Sequence, residues 1–168
     1  KGPDADRNWD SARRLAEMES DGVVGEVVFP NTIPPFFPKV SLVHQPPGAS
    51  AGDLELRWAG LQAHNRWLVD FCGAAPGRRA GIIQIMLHDI EGSVEEIHWA
   101  ADQGLTGGVL LPGAPPGSGV PPLYAPDYDP IWRACEERGL PVTHHSGSAA
   151  PDMGDYPERL DAAEFALS

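Results

Sequence analysis

The chain has 168 residues, 42% of them apolar, 21% charged and 8% aromatic. That suffices for one globular domain spanning 1–168 with a real core, and leaves no room for two comfortable ones. Twelve Lys and Arg stand against 24 Asp and Glu, a formal net charge of -12, with no basic stripe to meet a phosphate backbone. Nucleic-acid binding is therefore disfavoured. No apolar run approaches the roughly 20 residues that span a bilayer, and no cationic start leads into an apolar segment, so neither a membrane span nor a secretory leader is read. Cys72 and Cys135 match no metal-binding spacing and sit among apolar neighbours, as plain buried thiols do. A cytoplasmic protein is the expected setting. Nineteen glycines and 18 prolines lie just under the roughly 25–30% share at which aperiodic Gly/Pro-rich chains are disordered. They concentrate between regular apolar segments, which predicts a loop-rich globular chain.

In chain order, Asp10 or Ser11 caps a helix through Leu15 and Met18, stopped near Asp21-Gly22. The β-branched run 23–29 is a strand, ended by Pro30-Asn31. A Pro-rich loop from Thr32 to about Gly52 follows, of the length usually reserved for functional or disordered segments. The longest helix covers roughly 53–75, with Leu54, Trp58, Leu61, Leu68 and Phe71 mostly three or four apart. Pro76-Gly77 breaks it. The strand 81–87 ends at His88-Asp89, a helix takes 93–103, and the strand 108–111 ends at Pro112-Gly113. After a second Gly/Pro loop to Pro126, Asp129-Pro130 starts a helix closed by Gly139. Residues 140–145 form a fourth strand, and a further helix begins in the tail from Tyr156.

Short, nearly all-apolar strands alternating with helices indicate an α/β fold with a parallel sheet covered on both faces. Four units are about half of the eight that make a (β/α)₈ TIM barrel of roughly 250 residues. In such sheets the working residues lie at the carboxyl ends of the strands. Those ends carry Asn31, His88-Asp89, Pro112-Gly113 and His144-His145. Alternation puts Val142 and His144 in the apolar layer under the helices, and Thr143 and His145 on the inner face. By the same rule Ile83, Ile85 and Leu87 face the helices while Gln84, Met86 and His88 face inward.

His145 is thus the best candidate for a metal ligand or general base, against the blander reading of a hydrogen-bonded core or rim histidine. His144 bonds a backbone carbonyl or holds its neighbour, with direct catalysis as the sharper reading. His88 either contacts substrate or caps a loop, and His44 in the Pro-rich loop would reach over a pocket as part of a lid. His64 and His98 are surface or packing residues on helices. Glu26 interrupts an apolar strand, so it is either paired with an arginine or an active-site acid. Gly117-Ser118-Gly119 opens no helix and is no dinucleotide loop. Ser146 and Ser148 lack the glycines of a nucleophile elbow.

The stretch Leu140-Pro141-Val142-Thr143-His144-His145-Ser146-Gly147, preceded by Tyr128-Asp129-Pro130-Ile131-Trp132 and Glu136-Glu137-Arg138-Gly139, resembles the amidohydrolase-related family. These are metal-dependent (β/α)₈ hydrolases and decarboxylases, among them aminocarboxymuconate-semialdehyde and resorcylate-type decarboxylases. Arg7-Asn8-Trp9-Asp10, Val28-Phe29-Pro30-Asn31, Ala63-His64-Asn65-Arg66-Trp67 and Pro76-Gly77-Arg78-Arg79 are similar to its second and third units. The likeness runs to about residue 155 and implies that the four strands are the second to fifth of the barrel. It implies that His145 ligates a divalent metal, Zn or Mn, which would activate a water or polarise a substrate carbonyl or carboxylate.

Asn31, His88, His44 and His144 would line or cover the pocket of a small carboxylated or cyclic substrate. The family's first-strand His-x-His pair does not occur in this sequence. Its later His and Asp ligands would follow residue 168. The resemblance thus implies a chain inactive alone unless a second chain completes the barrel. The rival expectation is a non-catalytic half-barrel, a folding or interaction module whose open sheet edges drive homo-oligomerisation.

Overall fold

A computed structural model describes residues 9–30, 50–113 and 119–144. The first helix, α1 (Ser11–Asp21), is fixed at both ends by its own sequence. The Asp10 carboxylate accepts the Arg13 N–H at 2.8 Å, and beyond Gly22 the Val23 N–H returns to the Met18 carbonyl at 2.8 Å. The strand β1 (Glu26–Val28) is shorter than the expected run 23–29. Arg78 accounts for its late start: its guanidinium takes the Val23 and Val24 carbonyls, so those residues never join the ladder.

Helix α2 (Ala51–Gly73) starts at a Ser50 cap and runs back along β2 (Arg79–Gln84). Helix α3 (Ile90–Asp102) begins three residues earlier than expected, because Asp89 caps it by accepting the Gly92 N–H at 2.9 Å. Residues 85–87, expected as strand, lie past the end of β2. There the buried Ser93 hydroxyl donates to the Met86 carbonyl at 2.8 Å and accepts the Met86 N–H at 3.1 Å, replacing a ladder partner. Then come β3 (Gly108–Leu110), a 3₁₀ turn (Pro126–Tyr128), α4 (Asp129–Arg138) and β4 (Val142–Thr143).

The strands pair in the order β1-β2-β3-β4, all parallel, with Glu26 opposite Arg79, Ile82 opposite Gly108 and Val109 opposite Val142. This is the α/β architecture expected from the sequence, four successive strands of a partial (β/α)₈ barrel. Ile83, Ile85 and Leu87 join Leu68, Ile97 and Ile131 in one buried cluster between sheet and helices, as alternation requires. Cys72 and Cys135 are buried free thiols, and burial pushes both up from the ordinary thiol value. No helix among the described residues is long and apolar enough to cross a membrane.

One packing expectation fails. Val142 shares the register of fully buried Val109, yet it is 41% exposed. It lies on β4, a strand of two residues, with no further strand beyond it among the described residues to shield it.

At the amino end of the sheet sits the buried side chain of Arg79. Its Nε donates to Glu26 Oε1 at 3.1 Å, Nη1 to the Ser11 hydroxyl at 2.6 Å and the Phe71 carbonyl at 2.9 Å, and Nη2 to the Ser11 carbonyl at 2.9 Å. Arg14 holds the other Glu26 oxygen at 2.6 Å. Burial works to raise the Glu26 carboxyl, but the Arg14 and Arg79 hydrogen bonds outweigh it and the net shift is downward. The interruption of strand β1 is therefore the ion pair, at the end of the sheet opposite the candidate site.

Candidate functional site at the carboxyl end of the sheet

Because every strand points the same way, their carboxyl ends meet on one side: Phe29-Pro30 after β1, residues 85–89 after β2, Leu111–Gly113 after β3, His144 after β4. Helix polarity agrees. The carboxyl end of α2 is tied to the start of β2 through Phe71 and Arg79, whereas Asn65, nearer its amino end, touches the last residue of β2. The amino termini of α2, α3 and α4, each following a strand, thus lie toward this end, and helix amino termini favour negative groups.

His88 is an exposed residue on the turn joining β2 to α3. That turn is held on both sides: the Asp89 N–H reaches the Met86 carbonyl at 3.1 Å, and the Ser93 clamp fixes Met86 itself. His144 is exposed directly after β4, with Nδ1 3.2 Å from the Leu111 carbonyl oxygen. A carbonyl only accepts, so a hydrogen bond here needs the proton on Nδ1, and in the neutral ring that tautomer leaves Nε2 as the acceptor. The bond to a backbone carbonyl anticipated for His144 is present. β3 separates the strands carrying these two histidines. Asn31, His44 and His145 lie outside the described residues, as do the tail helix and most of the Pro-rich loop.

The other histidines have packing surroundings. His98 Nδ1 accepts from Arg138 Nε at 2.8 Å, within an exposed cluster where Arg138 also grips Asp102. His64 lies tilted against Trp67 with ring centroids 5.4 Å apart, and its buried Nδ1 has no hydrogen-bond partner among the described residues; burial pushes its pKa down, so it is neutral at pH 7. Arg57, one heptad earlier on the same stripe of α2, is half-buried. It makes no hydrogen bond or ion pair with the described residues, and burial alone pushes it below its ordinary value.

The sequence reading passed over a polar network behind the site. The fully buried Asn65 donates to the Gln84 carbonyl at 2.9 Å and accepts the Gln84 N–H at 3.0 Å. The same Asn65 amide donates to Glu96 at 2.9 Å, and Arg66 closes the chain by pairing with Glu96 while lying 3.8 Å over the Trp99 ring. Its sequence signal was available: Asn65 falls on the stripe of Leu61, Leu68 and Cys72, where an apolar residue is the norm.

Among the described residues no group of three or more His, Cys, Asp or Glu converges as a metal-ligand set. The described residues alone therefore do not fit a metal. The sequence model of the amidohydrolase family matches residues 5–167, further than the likeness read to about residue 155. No curated protein matches the chain.

Proposed function

The chain belongs to the amidohydrolase family, and on that premise we propose a metal-dependent hydrolase or non-oxidative decarboxylase acting on small carboxylated or cyclic organic compounds. The observation that carries the reading is the family match together with where the fold sends its histidines. A parallel sheet delivers His144 at the carboxyl end of β4, and His145 is the next residue. His145 is assigned as a ligand of Zn or Mn. Such a metal, if held there, would supply either a water of lowered pKa or a polarised substrate oxygen.

The chain's own groups have separate tasks. His144 presents Nε2 as a proton acceptor while Nδ1 is engaged by Leu111. His88 stands on a turn fixed by Ser93 and Asp89, in position to meet a substrate at the rim. Asn31 and His44 are assigned to the wall and cover of the pocket.

The test is metal content per chain by elemental analysis, on protein purified without added metal or an affinity tag. Near-stoichiometric Zn or Mn that disappears in His145→Ala supports the reading. Absence of metal, or metal retained by His145→Ala, overturns the ligand assignment.

A second reading rests on the sheet edges. Among the described residues β1 and β4 bound the sheet, and Val27 and Val142 on them are 56% and 41% exposed. Association that covers those edges gives an interaction module whether or not chemistry occurs. A monomer by light scattering at tens of micromolar would remove it.

A further inference from the structure

We draw no further inference here: the strongest candidate, the exposed apolar patch of Val24 and Val27 along the β1 edge of the sheet, carries none, because nothing among the described residues shows what covers it.

Discussion

Replacing Arg79 by Met keeps an unbranched apolar stem and removes the guanidinium with its charge. The guanidinium side chain is fully buried and makes four hydrogen bonds, to Glu26, the Ser11 hydroxyl, the Ser11 carbonyl and the Phe71 carbonyl. It also lies 4.0 Å over the Phe71 ring. Phe71 sits in the last turn of α2, where carbonyls have no partner within the helix, so Arg79 acts as the donor that closes that helix. Glu26 keeps Arg14 after the change, but the other acceptors lose a charged donor inside the protein. Removing one partner of a buried pair costs about 3–5 kcal/mol. In a chain of this size each kcal/mol moves the midpoint by about 2–4 °C, so Arg79→Met should melt roughly 10–15 °C lower. Arg14→Met is the matched control: its side chain is 38% exposed, and the loss should be about 1 kcal/mol or less. Differential scanning calorimetry with urea unfolding reads both. A loss below about 1 kcal/mol for Arg79→Met, or equal losses for the two variants, would refute the claim that burial makes this cluster strong.

Glu26 gives the cluster a pH dependence. Its carboxyl is held below the ordinary 4.5 when folded, so its contribution is complete above that value and is lost as the pH falls through the lower, folded value. Glu26→Gln should therefore show a flatter decline in midpoint below about pH 4.5 than wild type, and parallel curves would exclude the ion pair as the cause. Gly108 has φ +114 and its absent Cβ would fall 2.3 Å from the Pro141 carbonyl oxygen. Gly108→Ala should thus cost about 3 kcal/mol or more by urea unfolding. Gly73→Ala, with open space around it in α2, should gain a few tenths up to about 1 kcal/mol. His64→Leu removes an unpaired buried nitrogen and should raise stability by about 1–2 kcal/mol at pH 7; a loss would mean that Nδ1 has a partner in solution.

What was legible in the sequence follows the range of each interaction. The caps at Asp10 and Gly139 are local, and both helices end where their residues say. Strand alternation in β2 is local as well, and it placed Ile83, Ile85 and Leu87 correctly. Strand ends were misjudged wherever a side chain from elsewhere took the backbone groups: Arg78 at Val23 and Val24, Ser93 at Met86. Nothing in a β-branched run announces that an arginine more than fifty residues away will claim its carbonyls. Val142 was misjudged for a related reason, since exposure at a sheet edge depends on what lies beside the strand. At the candidate site the sequence pointed to the carboxyl end and to His144, whose carbonyl bond is there. It missed Asn65 and Arg57 because a polar residue on an apolar stripe reads as noise until its neighbours across the sheet are known.

The two ends of the sheet divide the work of the fold. At the amino end, Glu26, Arg14 and Arg79 satisfy one another and leave little for a ligand to meet. At the carboxyl end, Asn65, Ser93 and Asp89 spend their hydrogen bonds on the backbone, at Gln84, Met86 and Gly92. Side chains that fix the main chain leave other side chains to project from a rigid frame. Asn65, Ser93 and Asp89 together hold the main chain between β2 and α3, beside which His88 and His144 stand. On the proposed reading of this end as the binding end, its geometry would depend on Asn65 and Ser93, which hold the backbone at Gln84 and Met86. Substitutions at those two positions should accordingly alter recognition before they unfold the protein.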